Sequence, residues 1–136
     1  MKPEWDPLVA RAAMPVIGEI WQDAARASPK IRTLVAHIAE RIFLRGLSAG
    51  MLKRTFQVRD NNVFVQFREE VSAPPQRYIR EKRHAIAMRL LVETDLYVED
   101  IGRLLGYSLG RVFSRSFKRF TQLSPREYRE RARQQD

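Results

Sequence analysis

The stretch GYSLGRVFSRSFKRFTQLSPREYRE, residues 106–130, decides how this chain folds. Gly106 permits a sharp turn, Ser108 is placed to cap a helix, and the helical spacing runs on through Phe120. Along that helix Val112, Phe113, Ser116, Phe117 and Phe120 are the apolar or small side chains expected to face a core. The other face carries Gly110, Arg111, Ser114, Arg115, Lys118 and Arg119. Ser124-Pro125-Arg126-Glu127 then forms a capping box, with serine at the N-cap, proline at the first helical position and glutamate at the third. It opens a last short helix containing Tyr128.

Working back from there, every segment reads as helix. A short one holds Val98, Ile101, Leu104 and Leu105, and Thr94-Asp95 separates it from a long helix running from Gln76 to about Glu93. The long helix is expected to bury Tyr78, Ile79, Ile86, Ala87, Leu90 and Leu91. Ala73-Pro74-Pro75 ends a helix that Asp60 caps and that carries Val63, Phe64 and Phe67, and Met51, Leu52 and Phe56 mark another short one. Ser28-Pro29 opens a helix to about Arg45, ended by Gly46, with Ile31, Leu34, Val35, Ile38 and Ile42 inside. Before it, the pairs Leu8/Val9, Ala12/Ala13, Val16/Ile17, Ile20/Trp21 and Ala24/Ala25 make a wide apolar stripe on an N-terminal helix. Asp6 is its expected cap, and Pro15 is expected to kink or split it. No period-two alternation competes, so the fold class is all-α.

The chain has 136 residues, a length for one domain, and a formal charge of +9. The charge is unevenly spread: residues 101–136 hold nine basic and three acidic side chains. Such a basic segment is the footprint of a polyanion-binding face, because each phosphate neutralised releases counterions. The absence of cysteine excludes disulfides, thiolate zinc sites and a cysteine nucleophile. No apolar run approaches the roughly 20 residues that span a bilayer, and the acidic start MKPEWDP lacks a secretory pattern. The protein is therefore expected to stay in the cytosol.

The chain also echoes itself about 50 residues apart. Val63 matches Phe113, Phe67 matches Phe117, Pro75 matches Pro125 and Tyr78 matches Tyr128; with a one-residue deletion Leu52 matches Ile101. Two copies of one helix-turn-helix unit follow. The run Tyr78-Ile79, Arg83, Ala87, Leu90-Leu91, Thr94-Asp95, Ile101-Gly102, Gly106-Tyr107-Ser108, Phe113 to Arg119, Ser124-Pro125 and Tyr128-Arg129 resembles the signature of the AraC/XylS family of bacterial transcription regulators. The resemblance covers roughly residues 28–132. It implies seven helices forming two helix-turn-helix (homeodomain-like) subdomains joined by a long linker helix, each third helix lying in a DNA major groove. It further implies action at promoters, usually as an activator contacting RNA polymerase, with some short members binding as monomers. The expected layout is an extra helical segment at 1–27, a first and degenerate subdomain at 28–74, the linker helix at 75–94 and a second subdomain at 95–136.

Elementary geometry agrees with that expectation. A helix of about 18 residues is roughly 27 Å long, near the roughly 34 Å repeat of successive major grooves. In the second unit Arg111 and Arg115 suit bidentate contact with guanine O6 and N7, and Ser114 suits a base or phosphate. A helix N-terminus at Ser108 with Gly110 favours a backbone phosphate, while Lys118 and Arg119 suit phosphate positioning. In the first unit Asn61 and Val65 stand where the second has Arg111 and Arg115, flanked by Asn62 and Arg68 as further candidate DNA contacts. Asparagine recognises adenine, and Val65 or Phe64 fits a thymine methyl. Gln57 stands where the family turn usually has glycine, and Lys53 where it has a small residue. The Phe64/Val65 pair equally suits burial against another protein, so a protein-interaction module that binds RNA polymerase or another regulator is the alternative reading.

Nothing in the sequence assembles a catalytic site, and no metal or cofactor is expected. His37 and His84 lie on separate helices without metal-ligand spacing and read as surface or boundary side chains. Ser114 and Ser124 lack nucleophile-elbow glycines, and the neighbours Glu69/Glu70 and Glu99/Asp100 diverge on helix surfaces. The N-terminal helix is expected to pack on the helix at 29–45, with a dimer seam as the competing use of its stripe. The segment before residue 47 is too short for a β-barrel sensor. The expected partner is double-stranded promoter DNA, bound by a monomer or weak dimer away from any membrane.

Overall fold

A computed structural model describes residues 6–135. Among these residues there are eight helices: α1 (Pro7–Arg26), α2 (Pro29–Glu40), α3 (Ala49–Thr55), α4 (Asn62–Val71), α5 (Pro75–Glu93), α6 (Val98–Leu104), α7 (Gly110–Thr121) and α8 (Pro125–Gln134). No strand occurs among them, so the chain is all-α as its periodicity implies. Residues 1–5 of the MKPEWDP start and of the 1–27 segment, and Asp136, lie outside the described residues. Internal contacts divide the described residues into two compact units: residues 16–83, and residues 6–15 together with 84–135.

In the unit spanning 16–83, the core is built from Ile17 and Ile20 of α1, Ile31, Leu34 and Ile38 of α2, Leu52 of α3, Phe67 of α4 and Ile79 of α5. The end of α1 is tied to α2 by Arg32, which donates from Nε to the Ala24 carbonyl at 3.2 Å and from Nη2 to the Ala27 carbonyl at 3.0 Å. The Ala24 carbonyl also accepts from the Ala27 amide at 3.1 Å, so Arg32 adds a second donor where the helical ladder runs out. The Tyr78 hydroxyl donates to Asp23 at 2.6 Å. Burial, and then the adjacent Asp23 carboxylate, push that phenol far above its ordinary range. Packing of α1 beside α2 thus holds for this part of the stripe, but the stripe is narrower than its sequence suggests: Leu8, Trp21 and Ala25 are exposed. Pro15 does not split the helix, which runs unbroken from Pro7 to Arg26. It sits on the solvent side, where the carbonyl it leaves without an amide partner can meet water. Asp6 does cap it, accepting from the Leu8 amide at 2.8 Å.

The second helix stops at Glu40 rather than about Arg45. The reason lies on α5. The buried guanidinium of Arg83 donates to the carbonyls of Ile42 at 2.9 Å and Leu44 at 2.7 Å, so those groups are satisfied without a helical ladder. Gly46, at φ +97°, then turns the chain toward α3. Ser28 occupies the N-cap of α2, but its hydroxyl is engaged elsewhere: it donates to Glu70 at 2.7 Å, and its amide donates to the same carboxylate at 2.7 Å.

In the other unit, α6 and α7 form the helix-turn-helix, closed by α8 and by the C-terminal half of α5. Phe113, Phe117, Ile101, Leu105, Ile86, Leu90 and Leu91 are buried there. Arg129 of α8 donates to the Leu91 carbonyl at 2.8 Å, and Arg89 donates to the Ala12 carbonyl of α1 at 2.9 Å. The capping box forms as its sequence implies: the Ser124 hydroxyl accepts from the Glu127 amide at 3.1 Å and Glu127 accepts from the Ser124 amide at 3.2 Å.

The internal echo is visible as repeated geometry. Phe67 meets Tyr78 edge-on at 5.7 Å, and Phe117 meets Tyr128 edge-on at 5.5 Å. Each third helix ends on a left-handed non-glycine residue, Ser72 at φ +69° and Gln122 at φ +70°.

Two carboxylates lend the fold a pH dependence. Amide and hydroxyl donors from Ser28 hold Glu70 below the ordinary glutamate value, and donors from Ser124 do the same for Glu127. With folded values depressed, the contribution is complete above the ordinary glutamate range and is lost as pH falls through the depressed values. Glu70→Gln and Glu127→Gln variants are therefore expected to show a shallower loss of stability on acidification, read from urea midpoints across the carboxylate range; an unchanged slope would show the caps contribute nothing to it.

Candidate nucleic-acid interface

The second unit positions α7 by close approach. A β-carbon on Gly102 of α6 would lie 2.9 Å from Phe113 Cβ, so only glycine lets α7 sit this near. Gly106, at φ +89°, supplies the turn between them. With Phe113 and Phe117 buried, Arg111, Arg115, Lys118 and Arg119 stand exposed on the opposite face. None of the four makes an ion pair with a described residue, whereas Arg103 pairs with Asp100 at 3.5 Å and Arg133 with Asp95 at 2.6 Å. Four uncommitted cations on one helical face make a surface of positive potential suited to phosphate and to guanine edges.

The structure alters several of the expected placements in this helix. It begins at Gly110 with Leu109 at the N-cap and no side-chain cap, so Ser108 is exposed before the helix rather than capping it. Gly110 does not stand outward: a β-carbon there would meet Glu99 Cγ of α6 at 3.0 Å. Ser114 is half-buried at the edge of the outward face. Val112, expected in the core, is 42% exposed, because at 100° per residue it lies off the Phe113/Phe117 axis, next to the arginines. A helical projection phased on the two phenylalanines would have placed it there. Phe120 is likewise exposed on one side, its other side lying 4.9 Å from the His84 ring. His84 itself is fully buried, correcting its reading as a surface or boundary residue, and is held by Ser116 of α7 at 2.9 Å. His37 is half-buried; burial and then Arg41 lower its pKa.

In the first unit α4 exposes Asn61, Asn62, Val65 and Arg68 together, as the sequence implies, with Phe64 half-buried. Asn61 stands at its N-cap without a side-chain cap, and Asp60, the expected cap, lies one residue earlier and accepts from the Asn62 amide at 2.9 Å. The departures at Gln57 and Lys53 both have structural counterparts. Gln57 takes the left-handed conformation, φ +52°, that Gly106 takes in the second unit. Lys53, at the position of Gly102, is exposed and its Nζ lies 5.4 Å from the centre of the Phe64 ring, a cation–π contact. Left-handed geometry costs a side-chain-bearing residue about 1 kcal/mol, so Gln57→Gly is expected to raise the stability of this unit by up to about that amount. Thermal and urea unfolding check it, and a destabilised variant would show that Gln57 contributes more than its backbone costs.

The described residues contain no group of three or more histidines, cysteines or carboxylates that could hold a metal, and no helix long and apolar enough to cross a membrane.

A glycine-separated helix pair with a buried phenylalanine core and a cationic outer face defines a DNA-binding helix-turn-helix protein. Residues 46–131 match the family of helix-turn-helix domains, and the chain belongs to the AraC/XylS type of helix-turn-helix transcription regulators, which are not enzymes. It is 30% identical over 112 residues to the HTH-type transcriptional regulator YtdP of Bacillus subtilis strain 168, covering 80% of this chain and 14% of that protein. To the lactose operon transcription activator of Staphylococcus xylosus it is 26% identical over 76 residues, covering 56% of this chain and 27% of that protein. The chain thus spans a small part of the length of these relatives. The DNA-binding domain of the global transcriptional factor AdpA, solved in complex with a target DNA, shares the fold at TM-score 0.70 and 21% identity, covering 79% of this chain and 96% of that one.

Proposed function

We propose that the chain is a sequence-specific reader of double-stranded promoter DNA whose principal contact is α7, and that it activates transcription. The observation that carries this reading is the set of four exposed cations, Arg111, Arg115, Lys118 and Arg119, opposite the buried Phe113 and Phe117. Arg111 and Arg115 read base edges; Lys118, Arg119, Ser108 and Ser114 fix the helix on phosphates. Gly110, turned toward Glu99, serves by letting the helix start close to α6, its amide remaining available to a phosphate. In the first unit, Asn61, Asn62, Val65 and Arg68 make a second, weaker contact with one cation among them. The activator role is supported by the name of the Staphylococcus relative.

Fluorescence anisotropy with a duplex selected from a randomised pool is the direct test. Selective binding that weakens steeply with salt is expected, log K falling with log salt at a slope of about −0.9 per phosphate contacted. Equal affinity for selected and scrambled duplexes would overturn the reading.

A second reading has its own observation. Val65 is 44% exposed beside Phe64, an apolar pair unusual on a groove-facing helix. If this face holds RNA polymerase or another regulator, polar replacements at both positions abolish partner capture and leave DNA affinity intact; loss of DNA affinity in the folded variant assigns the face to DNA.

A further inference from the structure

One polar cluster, centred on a buried histidine, ties α7 to α5 away from its cationic face. His84 of α5 is fully buried, and its Nε2 is 2.9 Å from Ser116 Oγ of α7 and 3.3 Å from the Tyr107 hydroxyl in the turn before α7. The two hydroxyls are 3.4 Å apart. With Nε2 as acceptor, a hydroxyl donates to it; with Nε2 protonated, it donates to Ser116, and serine and tyrosine hold each other. Three elements therefore meet at one nitrogen.

The other contacts of α7 are of a different kind. Phe113 lies 5.4 Å from the Tyr107 ring and 5.8 Å from Phe117, and Phe117 lies 6.0 Å from the His84 ring. The area these rings bury is insensitive to small rotations about the helix axis, and their preferred geometries are broad beside that of a hydrogen bond. Gly102 fixes how near α7 comes to α6 and leaves its rotation free. A hydrogen bond is directional, and its strength falls steeply off axis. Ser116 immediately follows Arg115, so the angle that the His84 bond imposes on residue 116 is passed through the rigid helical backbone to the guanidinium. Base reading needs side chains held within about 0.5 Å of the productive geometry.

We infer that His84 is a positioning residue for DNA reading: through Ser116 and Tyr107 it fixes the rotation of α7, and sequence discrimination depends on it while fold and phosphate affinity do not. The inference rests on α7 being the reading helix. The test compares His84→Leu/Ser116→Ala, His84→Gln and Arg115→Ala with the wild-type chain, each titrated onto a duplex selected with the wild-type protein and onto a scrambled duplex. Replacing both partners of a buried hydrogen bond by apolar groups is nearly neutral for stability. The double variant is therefore expected to unfold near the wild-type midpoint and to bind scrambled DNA as the wild type does, yet to lose about tenfold in discrimination, part of the value of one bidentate base contact. His84→Gln, whose amide reaches where Nε2 lies, is expected to recover most of that loss. Such recovery separates positioning from packing.

If Arg115→Ala loses discrimination and the double variant does not, the positioning role is wrong and the reading helix stands. If neither loses it, α7 is not the reader and both fall. Should the double variant fail to fold, Ser116→Ala alone, which leaves His84 beside Tyr107, decides the question by the same ratio.

Discussion

Replacing Phe117 with alanine is expected to remove about 3–5 kcal/mol from the unit that carries α7. The side chain is fully buried, edge-on to Tyr128 at 5.5 Å and to the His84 ring at 6.0 Å, so truncation leaves a cavity bounded by three elements. Against a typical total of 5–15 kcal/mol, that loss removes much of the folded state's margin. Urea unfolding should show a midpoint shifted far to lower denaturant, and Phe117→Leu, which refills most of the space, should recover part of it. A loss below about 1 kcal/mol would mean that the site collapses around the missing ring and that α7 is anchored elsewhere.

The second large effect concerns reading rather than folding. Arg111→Ala and Arg115→Ala are each expected to cost about 1–3 kcal/mol of discrimination between a selected and a mismatched duplex. Both side chains are exposed and make no ion pair with a described residue, so stability should move by no more than about 0.5 kcal/mol. Lys118→Ala and Arg119→Ala should behave differently, weakening all duplexes alike and lowering the salt slope by about one contact each. Anisotropy titrations at several salt concentrations separate the two patterns. Unchanged discrimination in both arginine variants would remove α7 from the role of base reader.

Much of this was legible because the decisive residues act locally. Ser124 and Glu127 form their capping box within a single turn, and Phe113 and Phe117 bury where a period of 3.6 places them. What the sequence hid depends on partners distant along the chain. The early stop of α2 is set by Arg83, some 40 residues on, whose guanidinium takes the Ile42 and Leu44 carbonyls. His84 looked like a surface residue because its partners, Tyr107 and Ser116, lie on other elements. Ser108 was misplaced because α7 starts at Gly110, two residues after the apparent cap, and Val112 because it lies off the buried side that Phe113 and Phe117 mark. The degenerate features of the first unit, Gln57 and Lys53, were visible as departures, but their meaning needed the φ angle and the Phe64 ring.

The left-handed endings at Ser72 and Gln122 and the left-handed turns at Gln57 and Gly106 carry one more consequence. Both copies have kept the same backbone hinges even where glycine was replaced, while the outward side chains of α4 and α7 share almost nothing. Support and address are therefore written in separate sets of residues. On the proposed reading, exchanging the outward positions alone, Asn61 and Val65 for arginines, is expected to change the sequence read through α4 without touching its support.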